Sequence, residues 1–422
     1  MDAEILTIGT ELVLGFTVNG NAAVMGSLLA ASGVRVRRTA AVTDEPALIE
    51  AAVKEALDRA GTVIVCGGLG PTKDDLTRES VARVFGKALR RDDAIVERLR
   101  GWYQRRGIQQ MPEANLVQAD VPEGATILPN ELGTAPGLWI EENGRLAVLL
   151  PGVPKELRAL MEEQVVPRLR ERADAVAKSP SRQVTRSLTL RTTSIGESAI
   201  ADILGDYQPR MGQNVTLAFL PSVAGTDLRL TAWDLPDAEA DGALKHAGDW
   251  VRSKLDQRIY GTGDADLAEV VLDLLQSRGV KLAVAESCTG GLLGARLTAI
   301  PGSSKVFVGG VIAYENDVKL QFLGVSADDL SQHGAVSEPV ARQMARGIAR
   351  STGADAAIAI TGIAGPDGGT DDKPVGTVWI AIVWKDTERA FTIVLPGDRE
   401  DVRGRAAQYA LDSLRRIVTG AL

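Results

Sequence analysis

LAVAESCTGG, residues 282–291, sets a short apolar run, Leu282–Ala285, directly against Glu286-Ser287-Cys288-Thr289-Gly290-Gly291, after which Leu292–Thr298 has helical spacing. An apolar run of this length without polar alternation reads as a strand buried on both faces, as in a helix-covered parallel sheet. The same grammar occurs earlier. TVIVCGGLGPTKDDLT, residues 62–77, runs a strand, Thr62–Cys66, into a glycine-rich turn followed by a helical pattern over Arg78–Phe85. Outward from these two units, strands and amphipathic helices alternate. Ala3–Ile8, Val34–Thr39 and Ala147–Leu150 read as strands, and Asn21–Ser32, Asp44–Arg59 and Lys155–Arg170 as helices, the last behind a proline suited to a first turn. In the C-terminal part, helix Leu267–Ser277, strands Val306–Ile312 and Ala356–Ile360, helix Pro339–Arg350, strands Thr377–Val383 and Ala390–Leu395, and helix Arg403–Val418 repeat the alternation. The expected class is α/β, in two α/β domains.

Between them, ERADAVAKSP (171–180) is polar and reads as a linker, and residues 181–258 carry strands Gln183–Arg191, Val215–Pro221 and Leu228–Trp233 with one short helix, Glu197–Leu204, a small α+β domain. The expected division is therefore 1–170, the linker 171–180, 181–258 and 259–422. Single cores stop growing near about 250–300 residues, so a chain of 422 residues requires such a division. The net charge of −8 disfavours direct nucleic-acid binding. Apolar runs such as Leu146–Leu150 and Ala356–Ile360 are far shorter than the roughly 20 residues of a membrane helix. The start, Met1-Asp2-Ala3-Glu4, lacks a basic n-region, so no signal peptide is expected. Two cysteines, Cys66 and Cys288, offer no disulfide framework, which fits a reducing cytoplasm.

Each glycine-rich turn is a candidate site. Gly67, Gly68 and Gly70 lie where backbone N–H groups and a helix N-terminus receive phosphate. Asp74 and Asp75 beside them would repel phosphate unless a hard divalent ion sits between; alternatively either caps the helix or a turn. In the second turn, the hydroxyl of Ser287 stands at the mouth of a sheet, with Gly290 and Gly291 as candidate oxyanion-hole amides. The competing reading makes Ser287 or Thr289 a helix cap. Cys288 is a rival nucleophile. Only His246 and His333 exist, and only His333 shares the domain, so a histidine base is not expected. Tyr314 and Lys319, in YENDVK, are the alternatives: a lysine of lowered pKa or a polarised tyrosine accepts a serine proton.

The order GTELVLG, VTDE, GGLGPTKDDLT, Asn115-x-x-Gln118-Ala119, NELGTAPG and LPGVPKEL, over about 3–165, resembles the molybdopterin-binding-like domain of the CinA family. AESCTGG, PGSSKVFVGGVIAYENDVK, HGAVSEPVA, TGIAGPDGG, KPVGTVWIA and GDREDVR, over about 264–418, resemble its C-terminal domain, the nicotinamide mononucleotide deamidase (PncC) type. Residues 181–258 match the family's KH-like module, although the loop Thr193-Ser194-Ile195-Gly196 lacks the GxxG pair that clamps a nucleic-acid backbone. Arg182, Arg186 and Arg191 offer only an offset basic edge, so a domain-positioning role is expected.

The resemblance implies hydrolysis of nicotinamide mononucleotide to nicotinate mononucleotide and ammonia, without an obligatory metal, by Ser287 with Tyr314 and Lys319 as its activating groups. It also implies ADP-ribose pyrophosphatase activity in the N-terminal domain with a divalent ion (Mg2+, Mn2+ or Co2+), in pyridine nucleotide salvage, and a homodimer. Which of Tyr314 and Lys319 takes the proton stays open. For the C-terminal nucleotide, Thr289, Gly290, Ser303, Ser304, Thr361, Arg399 and Arg403 are candidates on chemical grounds. For the N-terminal site they are Glu11, Asn19, Gly67, Gly68, Gly70, Thr72, Asn115, Asn130, Thr134 and Gly152, with Asp44, Asp74 and Asp75 for the metal. The alternative is a binding protein that holds a nucleotide or pterin without turnover.

Overall fold

The computed structural model describes residues 1–176 and 183–422, which gather into two compact units, Met1–Arg186 with Ala232–Gly242, and Ser187–Thr231 with Ala243–Leu422. In the first, strands β1 (Asp2–Ile8), β2 (Arg35–Val42), β3 (Thr62–Cys66), β4 (Thr126–Leu128), β5 (Gly137–Glu142) and β6 (Arg145–Leu150) form a six-stranded sheet in the order β2-β1-β3-β6-β5-β4. β1, β2, β3 and β6 run parallel, with Leu6 opposite Ala40 and Val65, and Ile64 opposite Val148. β5 and β4 add antiparallel at one edge, so the sheet is mixed rather than purely parallel. Every residue of β3 is buried because alternate side chains feed two cores, Ile64 one face and Val63 and Val65 the other. Helices α1 (Gly20–Ala31), α2 (Pro46–Ala60), α3 (Thr77–Val84) and α4 (Pro154–Leu160) belong to this unit, α4 opening with its proline in the first turn. Beyond a π-helical turn, Met161–Val165, α5 (Val166–Val176) continues through residues expected to open the linker. The rest of that linker, and Arg182, lie outside the described residues.

The small domain has a four-stranded sheet of β7 (Gln183–Thr192), β8 (Val215–Pro221), β9 (Thr226–Pro236) and β10 (Ile259–Thr262), in the order β8-β9-β7-β10. Its helices include α6 (Glu197–Leu204) and a 19-residue helix, α7 (Asp237–Leu255), whose dense charge hid it from the sequence reading. Arg186 pairs with Asp241 at 2.6 Å, and Arg191 with Asp227 at 3.2 Å, so neither forms a free basic edge.

The C-terminal domain runs α8 (Leu267–Gln276), β11 (Leu282–Glu286), α9 (Leu292–Thr298), β12 (Phe307–Ile312), α10 (Asn316–Leu323), α11 (Glu338–Thr352), β13 (Ala356–Gly362), β14 (Thr377–Trp384), β15 (Thr387–Val394) and α12 (Arg399–Thr419). Sheet order is β12-β11-β13-β14-β15, parallel across the first three strands and antiparallel beyond. β11 is buried throughout: Leu282 and Val284 pack among the residues of α8 and α12, Ala283 and Ala285 among those of α11. That burial on both faces fixes where the strand ends, and therefore where Ser287 emerges. Among the described residues no helix is long and apolar enough to cross a membrane.

Candidate functional sites at the two sheet mouths

β11 ends on Glu286, only 1% exposed, whose carboxylate curls over the start of α9. One oxygen accepts the amides of Gly291 and Leu293, each at 3.0 Å, and the other that of Gly294 at 2.8 Å. A carboxylate at a helix N-terminus satisfies donors that otherwise have none and complements the dipole. The cap expected of Ser287 or Thr289 is thus Glu286, and the Ser287 hydroxyl is released for other work. The same bonds correct the oxyanion-hole expectation, because the Gly291 amide is engaged by Glu286 and the Gly290 amide donates to the Ser287 carbonyl at 3.0 Å. The opposite wall of the cavity is the loop after β13, where the Ile363 amide is engaged by the Thr377 carbonyl at 2.8 Å.

Ser287 lines a cavity of about 280 Å³ together with Tyr314, Asn316, Lys319, Thr361, Arg399 and the loop 362–368. Lys319 is buried within α10, and its ammonium nitrogen donates to the carbonyls of Ala313 at 2.8 Å and Tyr314 at 3.0 Å. Burial pushes its pKa down, while Glu315 and Cys288 act in the other direction. Two neutral acceptors compensate a charge poorly, so the amine is biased toward its neutral, basic form. Tyr314 stands at the mouth, half exposed, and its phenol oxygen accepts from Arg399 at 2.9 Å. The other arm of Arg399 donates to the Gly365 carbonyl at 2.6 Å, tying two walls of the cavity together. Cys288 also lines the cavity while packing against the core, and burial pushes its thiol up to about 12. A thiol of that pKa is not a thiolate at neutral pH, so Cys288, like the neighbouring Ser287 hydroxyl, would need a base before it could attack.

Thr361 lines the cavity, with its hydroxyl donating to the Ala335 carbonyl at 2.9 Å. Five other expected residues do not line it. Arg403 donates to the Thr289 carbonyl at 2.9 Å and braces the nucleophile turn from outside. Thr289 and Gly290 belong to that turn without facing the cavity, and the fully buried Thr289 hydroxyl has no hydrogen-bond partner among the described residues. Ser303 and Ser304 precede β12, at the end of the sheet where β11 begins, so about 16 Å of strand separates them from Ser287. His333 is half exposed, 3.9 Å from Asp329, and outside the cavity, so no histidine triad forms.

The N-terminal cavity, about 490 Å³, opens at the carboxyl ends of β1, β3 and β6, the usual ligand position in such sheets. Gly67 and Gly68 have φ of 107° and 63°, and a β-carbon there would run into the Ile8 carbonyl and the Thr77 hydroxyl respectively. Around the cavity stand Glu11, Asp44, Asp74, Asp75 and Glu156, with Gly70, Thr134, Gly152 and Gln118, and, among the described residues, no lysine or arginine. Asp75 closes its own turn, accepting from the Gly70 amide at 2.7 Å, the Thr72 amide at 2.8 Å and the Thr72 hydroxyl at 2.5 Å. Asp44 accepts from the amide and hydroxyl of Thr10, both at 2.8 Å. Asp74 is exposed, and the nearby Thr72 side chain and its own backbone amide hold its carboxyl below the ordinary range.

Among the described residues no three acidic, histidine or cysteine side chains gather closely enough to enclose an ion by themselves. The donors nevertheless fit a hard divalent cation, which binds through one or two carboxylates and shares the phosphates of its nucleotide. Several expected residues stand behind the lining. Asn115 orients Gln118 at 3.2 Å, and Asn130 holds Glu156 at 2.7 Å and the Ala135 carbonyl at 2.8 Å. Asn19 caps α1 and lines an adjoining cavity. Glu286, Gln118 and Glu156 were missed; a glutamate at a strand end before a glycine pair is the signal that reveals the first.

Comparison with known proteins gives three domain matches: a probable molybdopterin binding domain over residues 4–171, the damage-inducible protein CinA KH domain over 187–261, and the CinA C-terminal domain over 264–418. A CinA-like protein of Gemmatimonas aurantiaca is 52% identical over 99% of this chain and 96% of its own length. A putative competence-damage inducible protein of Symbiobacterium thermophilum is 44% identical over the whole of both chains. A solved structure, competence/damage inducible protein CihA from Agrobacterium tumefaciens, is 38% identical over 36% of this chain and 93% of that one, with a TM-score of 0.35.

Proposed function

Since the chain belongs to the CinA family, we propose that its C-terminal cavity hydrolyses the carboxamide of nicotinamide mononucleotide. The carrying observation is the buried amine of Lys319, depressed in pKa by burial and donating to two backbone carbonyls, in the cavity that Ser287 lines. In this reading the Ser287 oxygen bonds to the carboxamide carbon while its proton passes to the neutral Lys319 amine. The carbonyl π pair moves onto oxygen, where amides of the loop 362–368 receive it. Collapse breaks the carbon–nitrogen bond, and the lysine proton leaves with ammonia. Water, deprotonated by the same amine, then cleaves the serine ester to nicotinate mononucleotide. Tyr314, fixed by Arg399, orients the nucleotide at the mouth. The test is ammonia release from nicotinamide mononucleotide by the full chain; no ammonia from the wild type sinks the proposal.

For the N-terminal cavity we propose that a divalent ion and the pyrophosphate of ADP-ribose bind together, with Glu11, Asp44 and Asp74 as the available carboxylates and Asp75 joining them only if its turn opens. When bound, the ion neutralises phosphate charge and polarises the bond to be cut. The engagement of both Asp75 oxygens within its own turn favours a second reading, a site that binds the nucleotide without turnover. Calorimetry with ADP-ribose and Mg2+, followed by chromatography of the products, separates the two: heat with AMP formation supports catalysis, and heat without products supports binding alone.

A further inference from the structure

α12 carries a row of buried polar groups that the proposed chemistry does not use. Gln408 is 1% exposed and Asp412 3%. The Gln408 carboxamide is held at both ends: its oxygen accepts from Arg296 of α9 at 2.9 Å, and its nitrogen donates to the hydroxyl of Thr193 in the small domain at 3.2 Å. One turn on, Asp412 accepts from the Ser194 hydroxyl at 3.0 Å, and its second oxygen takes the Arg415 guanidinium at 2.6 Å. Arg415 also reaches the carbonyl of Gln257, just before β10, at 2.5 Å. Thr193 and Ser194 open the loop between β7 and α6, and Ser194 adopts a left-handed φ of 59°, uncommon for a residue with a side chain.

We propose that this loop is a docking element, and that Thr193 and Gln408 are positioning residues for the nucleophile turn. Fully satisfied buried polar networks contribute little net stability but admit one geometry. Here the network ties the loop to α9, the helix whose N-terminus is capped by Glu286 beside Ser287. It also ties the loop to α12, which holds the same turn through Arg403 and Thr289. Loss of the Gln408 carboxamide removes the link between Arg296 and the Thr193 loop, leaving Arg296 to Asp266 at 3.3 Å and the loop to Asp412 through Ser194. The small domain therefore acts on the turn that carries Ser287 through two helices.

The inference extends the deamidase reading, so its test includes a measurement independent of turnover. In the full chain, Thr193→Val, which lies outside the C-terminal domain, and Gln408→Leu are compared with wild type by amide hydrogen exchange of the 287–294 segment. Exchange there is expected to rise on the order of fivefold in each, a modest long-range coupling. The double variant is expected to exceed neither by much, because both break one connection. Gln408→Glu restores wild-type exchange, since a carboxylate accepts from both Arg296 and the Thr193 hydroxyl. With nicotinamide mononucleotide as substrate, kcat falls by a similar factor while KM moves less than twofold.

Wild-type exchange at 287–294 in both Thr193→Val and Gln408→Leu overturns the inference, as does a rise that Gln408→Glu fails to reverse. Absence of ammonia release by the wild type, with the exchange pattern as expected, overturns the deamidase reading and leaves the positioning role standing.

Discussion

Glu286→Gln removes a charge while preserving shape, and the structure sets the size of the effect. Three amides converge on two oxygens, Gly291 and Leu293 on one and Gly294 on the other. A carboxamide keeps one oxygen, so its best orientation retains the first pair and turns an NH2 against the Gly294 amide. One charge-assisted hydrogen bond is lost, about 1.5–3 kcal/mol, along with the charge at the helix N-terminus, about 0.3–1 kcal/mol or more when buried. A total near 3 kcal/mol lowers the melting temperature of a unit of this size by roughly 6–12 °C. Because Glu286 precedes the nucleophile, the turn relaxes too, and a misplacement of about 1 Å costs on the order of a hundredfold in turnover. Differential scanning calorimetry of the full chain and ammonia release measure the two effects. A variant that melts within 2 °C of wild type, roughly a quarter of the expected shift, and keeps its turnover would refute the capping argument.

Lys319→Met is expected to preserve the fold and reduce ammonia release by about 10²–10⁴. Because burial lowers the lysine pKa below its ordinary 10.5, wild-type turnover rises with pH through that lowered value. Between it and 10.5 the unfolded chain holds a proton that the folded chain releases, so stability rises with pH there; Lys319→Met loses this slope in pH-dependent denaturation. Burial raises both Cys66 and Cys288 to about 12, so iodoacetamide at pH 8 should leave both unlabelled in the native chain, read by peptide mass spectrometry. Asp75→Ala breaks three hydrogen bonds of the glycine turn and should destabilise its unit by about 2 kcal/mol, whereas Asp74→Ala should weaken Mg2+-dependent nucleotide binding with the melting temperature unchanged, both read by calorimetry.

The central strands were legible because burial on both faces writes an uninterrupted apolar run, as in Thr62–Cys66 and Leu282–Glu286. The glycine turns were legible from positions such as Gly67 and Gly68, where a side chain cannot fit. Charged helices were not: Asp93–Gln104, Asp237–Leu255 and Asn316–Leu323 bury narrow stripes under dense charge. Ser303 and Ser304 are close to the nucleophile in sequence, and only the parallel pairing of β12 with β11 reveals that they stand at the opposite end of the sheet. Glu286 was read as part of a turn because its partners lie five, seven and eight residues ahead, within reach only once the helix has formed. Lys319 was reached as a base candidate from the shortage of histidines, and the resemblance pointed to it too; its suitability as a base depends on burial, which a charged residue in a polar string does not announce.

The most direct test compares ammonia release from nicotinamide mononucleotide by the wild-type chain, Ser287→Ala and Cys288→Ala under one set of conditions. Release by wild type and Cys288→Ala with none from Ser287→Ala is the result expected; undiminished release by Ser287→Ala contradicts the assignment of Ser287 as nucleophile.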